Sequence, residues 1–310
     1  MRRFRFGFQV RAGSAVELVA QAQAAEAAGF DVVHTFDHVG DHWTPLLPLL
    51  AMAQATTTLR VCPLVLNNDF HHPVHLAAEI SSLDHLTGGR VEVGIGAGHS
   101  FTEYAAIGQR FDPPAVRKAR MAEAVEIIRQ LLDGAEVTHR SEHYQLTGAR
   151  VMQSHQQRVP IMVGVNGKAA LAHAAVHADC IGLTMLGRTL ADGQRHEVRW
   201  QAARLDDTIA CIADHAAKRS TPLELNALVQ VVEITDDRQD VATRLVGELG
   251  GLSVEDVLAT PFVAIGTHDE IAEHLLRCRE RWGISYFSVR SNTEFAPVIA
   301  RLRAADASLS

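Results

Sequence analysis

Between residues 35 and 43 the chain reads TFDHVGDHW, so that Asp37, His38, Asp41 and His42 crowd together and end at the ring of Trp43. A histidine here can give or take a proton near neutral pH without large tuning of its pKa, and Asp37 stands beside it. The same stretch also reads as an ordinary polar loop, with Asp37 and Asp41 capping the next helix and the histidines in solvent. Metal binding is a further chemistry to weigh in a chain of 17 histidines. His38 and His42 are four apart, and His71, His72 and His75 form a second cluster. Gly40 weakens any helix between the first pair, so their rings need not share a face. Neither H-x-H nor H-E-x-x-H nor a cysteine–histidine pattern occurs, and this missing spacing argues against a catalytic metal.

Two glycine-rich turns add to the chemistry. In GIGAG (94–98), glycines at alternate positions bare one face of a strand end. That face admits a flat ring, tight packing inside the fold, or both. It is not a dinucleotide fingerprint, because position 99 is His and no acidic partner sits at the required distance. GVNGKAAL (164–171) is a bare-backbone turn running into a helix N-terminus, suited to a phosphate or other anion, with Lys168 nearby. No G-x-S-x-G elbow, no phosphate loop ending in G-K-[ST] and no identifiable pair of glycosidase carboxylates is present. Flat glycine-lined space, histidines and a tryptophan fit a planar redox cofactor better than hydrolysis.

Short β-branched runs alternating with helical patterns must position these residues. Strands are predicted at 4–10, 31–36, 60–66, 90–98, 159–165, 179–185, 223–234 and 284–290. Helices are predicted at 14–30, 45–57, 73–89, 116–133, 167–177, 199–218, 238–249 and 268–281. Eight such units in 310 residues predict an α/β fold, a (β/α)8 TIM barrel forming one domain over 1–310. The connections 99–115 and 186–199, after strands four and six, exceed the usual length and lie at the C-terminal face, where barrel sites are built. A short hairpin is predicted at 136–146. TFDHVGDHW then becomes the loop leaving strand two at the mouth.

Composition bounds the partners. Hydrophobic residues make up 47% and charged residues 21%, as in a globular protein with a sizeable core. A net charge of −7 argues against a nucleic-acid partner, and no run of like charge or apolar span points to a membrane. Cys62, Cys180, Cys211 and Cys278 lie far apart, which reads as reduced thiols in a cytoplasmic protein. The basic start, MRRFRFGFQVRAGS, is interrupted by Arg5 and Arg11 before a signal-peptide core could form.

Several stretches together carry a resemblance: AEAAGFDVVHTFDH, RVCPLVLNNDFHHPVHLAAEISSLDHLTGGRVEVGIGAG, then Glu103, Gly108, Phe111 and RMAEAVEIIRQLLDG, and finally AIGTHDEIAEHLLRCRERWGISYFSV. Over nearly its whole length the chain resembles the bacterial luciferase-like superfamily, and within it the deazaflavin-dependent oxidoreductases. The resemblance implies a barrel, usually a homodimer, with the cofactor ring in the C-terminal mouth. Coenzyme F420, a deazaflavin, would exchange hydride with a small organic substrate. The same superfamily also implies an alternative, a monooxygenase using reduced flavin mononucleotide (FMN) with 186–199 as a lid. A non-catalytic flavin-binding barrel is a third reading, against which the intact Asp37, His38 and Trp43 argue.

By the same resemblance, Asp37 and His38 match an acid–base pair, and Trp43 matches an aromatic residue lining the reaction site. Leu64 and Val65 fall at a bulge, often a non-proline cis peptide, behind the central ring. Asn67, Gly96, Ala97 and Gly98 match positions around that ring, and Asn166 and Gly167 match the turn at the cofactor's phosphate side. Thr184, at the end of strand six, is counted with the cofactor-binding set. One departure stands out: deazaflavin-dependent sugar-phosphate dehydrogenases carry a glutamate proton donor where this chain has His99. That leaves His99 as a substitute donor or a substrate contact.

Overall fold

The computed structural model describes residues 2–189, 196–290 and 293–308. Its main sheet is wholly parallel and closes on itself. Strand one (Arg5–Gln9) lies between strand two (Val32–Thr35) and strand eight (Tyr286–Arg290). Beyond strand eight follow strand seven (Glu224–Leu228), strand six (Cys180–Leu183), strand five (Ile161–Gly164) and strand four (Val93–Gly96). Strand three supplies both ends of the sheet. Its first half, Arg60–Pro63, pairs with strand two, and its second half, Leu66–Asn67, pairs with strand four. The halves are separated by a cis peptide between Leu64 and Val65, and a bridge between Val61 and Val91 completes the circle. The (β/α)8 barrel is thus the architecture.

The two-residue period of each strand sorts side chains between axis and outer core. On strand one Phe6 and Phe8 pack outward beneath the helices, while Arg5, Gly7 and Gln9 face the axis. Gly7 is obligatory there, since a Cβ would lie 2.2 Å from His34 Nε2. At the N-terminal end the axis is sealed by charge: Arg5 bonds Glu224 at 2.6 Å and also Glu92, which receives Arg60 Nε at 2.5 Å. Helices are set by local signals. Ser14 Oγ accepts from Glu17 N at 3.2 Å to start Ala15–Ala27, and a reciprocal Thr267–Glu270 box starts His268–Trp282.

Two expectations change. The apolar run 223–234 is not one strand. Val229 N still donates to Ser288 O of strand eight, but Gln230 N donates to Phe262 O. From there Val231–Ile234 pairs with Val263–Gly266, a strand not anticipated from the sequence. The long connections also carry structure of their own. A helix, Phe101–Ala106, follows strand four, and Leu186–Thr189 pairs antiparallel with His196–Val198 after strand six. Residues 190–195 of the anticipated lid lie outside the described residues. The hairpin falls at Val137–Arg140 and Gln145–Ala149, and a last helix spans Ala296–Ala307.

Candidate active site

Strand two ends at Thr35, and the residues after it reach in two directions. Asp37 Oδ2 accepts from Asn67 N at 2.9 Å and faces His71 Nε2 at 2.8 Å, so it ties this loop to the segment after strand three. His38 turns the other way, its Nδ1 2.7 Å from Glu103 Oε1 on the helix after strand four. Glu103 also receives Val39 N at 3.4 Å. An ionised carboxylate only accepts, so Nδ1 carries the hydrogen and Nε2 is the nitrogen left to exchange a proton.

Around His38 the rings gather. Its centroid lies 5.6 Å from Phe36, 6.3 Å from His42 and 5.6 Å from His99, and His99 lies 4.9 Å from His196. His99 is an exposed residue, and its imidazole packs against protein on the side that faces His38 and His196. Desolvation on that side, with His196 and His38 next to it, lowers its pKa to about 4. Trp43 is exposed, with Nε1 donating to Ala12 O at 3.1 Å. It lines a cavity of about 590 Å³ together with Arg11, Phe36, His38 and His42.

The glycines of strand four meet neighbours rather than open space. A Cβ on Gly96 would fall 2.6 Å from Val65 Cγ2, and one on Gly94 2.1 Å from Pro63 O. Val65, next to the cis bond, therefore fills the bare face of strand four, and it also packs toward Gly164 of strand five. Of the two uses open to GIGAG, packing accounts for these two positions. Gly98 (φ +70°) is enclosed by Tyr104 Oη and the Asn67 amide. Tyr104 Oη lies 3.1 Å from Asn67 Oδ1 and 2.9 Å from Asp69 Oδ2, and Asp69 is held by Arg120 at 2.8 Å. Arg117 donates to the carbonyls of Ala97 at 3.2 Å and Gly98 at 3.3 Å, with its guanidinium 3.9 Å over the Phe111 ring. These bonds fix the turn that presents His99.

A second group stands on strands five and six. Gly167 (φ +93°) caps the helix Lys168–His177, and Lys118 Nζ donates to Asn166 O at 2.6 Å. Asn166 Nδ2 reaches Thr184 Oγ1 at 3.5 Å, while Trp200 Nε1 donates to Thr184 O at 3.0 Å. Burial and then Arg117 lower the Lys118 pKa, so the turn sits over a partly desolvated cation as well as helix amides. This donor set fits a phosphate group.

The structure therefore gathers Asp37, His38, Leu64, Val65, Asn67, Gly96, Ala97, Gly98 and His99 into one wall, with Asn166, Gly167 and Thr184 further round it. Trp43 joins only through the cavity it shares with His38. Sequence reasoning missed the partners that hold this wall, namely Tyr104, Arg117, Lys118 and His196, and it weighed His71 only as a metal ligand. Glu103 was among the residues of the resemblance, but without a role. A carboxylate one helical turn beyond the GIGAGHS turn was its only local signal. Among the described residues, three potential metal ligands come together on the outer surface, at Glu126, His173 and His177.

The luciferase-like monooxygenase family model matches residues 3–286. The 5,10-methylenetetrahydromethanopterin reductase of Archaeoglobus fulgidus is 34% identical over 164 residues, 53% of this chain and 47% of the reductase. An F420-dependent glucose-6-phosphate dehydrogenase of Amycolatopsis mediterranei is 28% identical over 176 residues, 53% of this chain and 51% of the dehydrogenase. The chain thus spans about half the length of these curated relatives. An F420-dependent secondary alcohol dehydrogenase, solved with an F420–acetone adduct, superposes with a TM-score of 0.75 at 19% identity over 96% of this chain and 97% of that one. With the family model covering almost the entire barrel, the chain belongs to the luciferase-like monooxygenase family.

Proposed function

We propose that the protein is an oxidoreductase that uses coenzyme F420 to exchange a hydride with a small organic substrate. The observation that carries this reading is His38, fixed at Nδ1 by Glu103 at 2.7 Å, with Nε2 left to serve the mouth. Names among the relatives support the cofactor. Leu64 and Val65 would back its ring, Asn67 and Gly96–Gly98 would border it, and Asn166, Gly167, Thr184 and Lys118 would hold its phosphate side. Bound there, F420 supplies a hydride donor or acceptor at a ring carbon that reacts poorly with oxygen.

The chain's own residues handle the proton and the surroundings. At Nε2, His38 accepts the proton released when a substrate is oxidised, and returns it in the reverse direction. Asp37 is committed to Asn67 and His71, so its part is to hold the loop. His99, its pKa lowered by its surroundings, stands beside His38 as a second group for the substrate to meet. Trp43 walls the substrate side and excludes water. We also propose a homodimer in the cytoplasm. The four unpaired cysteines fit a reducing compartment, and Val16 and Leu47 offer exposed apolar surface on the first two helices. Among the described residues no helix is long and apolar enough to cross a membrane.

The family description favours one rival, a monooxygenase using reduced FMN. Equilibrium titration with each cofactor separates the two. The protein is expected to bind F420 more tightly than FMN, and to reduce F420 when supplied with a competent alcohol without consuming oxygen. Tighter binding of FMN, with oxygen-dependent product formation, would overturn the F420 reading.

A further inference from the structure

The helix Lys168–His177 reads KAALAHAAVH. Its alanines favour the helix and leave little bulk on the side that packs inward, where Leu171, Ala174 and Ala175 are buried. Positions 173 and 177 are four apart, so the two histidines share one face. Their rings stack with centroids 4.3 Å apart and planes 18° from parallel. Arg219 holds the last turn of this helix by donating to the carbonyls of Ala175 at 3.0 Å and Val176 at 2.7 Å.

The third group comes from the neighbouring helix, Pro114–Leu132, and stands 47 positions before His173 in the chain. Glu126 Oε1 lies 2.8 Å from His173 Nε2 and 3.9 Å from His177 Nε2. A plain surface pair between Glu126 and His173 explains the first contact. It leaves the approach of His177 to the same oxygen unexplained. One ligand atom from each of the three residues lies within 4.8 Å of the others, and among the described residues no other His, Cys, Asp and Glu group of that size converges in this way. Ligands about 2.0–2.2 Å from a tetrahedral zinc ion stand roughly 3.3 Å from one another, so the two measured spacings bracket what such an ion requires. Two imidazoles and a carboxylate suit Zn²⁺, whereas Mg²⁺ and Ca²⁺ take oxygen ligands. All three side chains keep part of their surface in solvent, which leaves an entry path and room for a water ligand.

We propose that Glu126, His173 and His177 form a site for a zinc-class divalent ion that fastens the two helices together. The same helices already meet beside the phosphate turn, where Lys118 donates to Asn166 O. His177 lies about 14 Å down its helix from Lys168, so the ion would join them at the other end. The site stands on the outer layer, apart from the mouth, and its part is structural. It does not depend on which cofactor the barrel uses.

The test titrates untagged full-length protein with zinc chloride in a non-coordinating buffer, reading calorimetry and the thermal midpoint. Wild type is compared with Glu126→Gln, His173→Gln and His177→Gln. The control is His85→Gln, at another exposed histidine pair, whose partner His155 has its ring centroid 5.6 Å away. Metal-free midpoints close to wild type establish that the variants fold. One zinc ion per chain should bind wild type and the control alike and raise their midpoints. Each of the three site variants should bind about tenfold or more weakly, with the rise in midpoint lost. Magnesium chloride at the same concentration should neither bind nor displace zinc. No zinc binding by wild type overturns the site. So does zinc affinity that survives in any of the three site variants, that falls equally in His85→Gln, or that magnesium abolishes.

Discussion

His38 and His42 line one cavity and differ by four positions, but only His38 is gripped by a carboxylate. His42 rests edge-on against Phe36 at 5.2 Å and is exposed. A general acid–base must be held at a fixed angle to the reacting atom, which an exposed loop ring is not. His38→Ala is therefore expected to lower the single-turnover rate by about 10²–10⁴-fold with F420 affinity nearly intact. His42→Ala should change the rate little. Stopped-flow measurement with thermal midpoints as a folding control checks this, and comparable small effects would reduce the cluster to a polar loop. The residue types were legible in the sequence, and so was the strand end that presents them. Their partners were not, because Glu103 lies 65 positions away and meets His38 only once strands two and four are neighbours of strand three. Asp37 shows the cost: beside His38 in sequence, it spends its carboxylate on Asn67 and His71 instead.

Elements carry the same lesson in their boundaries. An apolar run such as 223–234 tells that backbone is buried and extended, but not where it exchanges one partner for another. That switch at Gln230 depends on Phe262, far along the chain. Alternating glycines in strand four signalled a close approach, and the structure shows Val65 making it. Gly98 allows the approach to be measured. Gly98 (φ +70°) and Gly108 (φ +69°) share a left-handed backbone. A Cβ on Gly108 meets nothing within 4 Å, whereas one on Gly98 would stand 2.4 Å from Tyr104 Oη and 2.5 Å from Asn67 Oδ1. Both alanine variants incur the backbone cost of about 1–2 kcal/mol. Gly98→Ala should lose about 1–3 kcal/mol more through overpacking. Denaturant unfolding of the two variants gives the difference directly. Equal losses would mean that Asn67 and Tyr104 swing aside, and that the turn before His99 is softer than its bonds imply.

At the scale of the whole barrel, eight strand–helix units were readable from periodicity alone, while the chemistry of the axis was not. Inward positions hold polar and charged groups that no hydrophobic pattern announces: ion pairs at the base, then His34 between Ser288, Tyr286 and the Cys62 carbonyl. His34 is fully buried, and on the outer layer His274 is buried beneath Thr260 O, 2.9 Å from its Nε2. In both, burial outweighs the hydrogen bond to a carbonyl and lowers the pKa to about 4. Unfolding restores a value of about 6.5. Between those values the unfolded chain binds protons that the native barrel refuses, so stability rises with pH across that window. It is fully present above about pH 6.5, is lost as the pH falls toward 4, and flattens below that as the native histidines also charge. Each such histidine contributes a slope of up to about 1.4 kcal/mol per pH unit. His274→Gln isolates one of them, since a glutamine amide can still donate to Thr260 O but does not titrate. The variant should be somewhat less stable at pH 7 through altered packing, and its stability should fall less steeply than wild type between pH 6.5 and 4. Carboxylates that titrate in the same range are common to both proteins and cancel in the difference. Parallel curves from urea unfolding at several pH values would mean that His274 takes up its proton in the folded barrel as readily as in the unfolded chain.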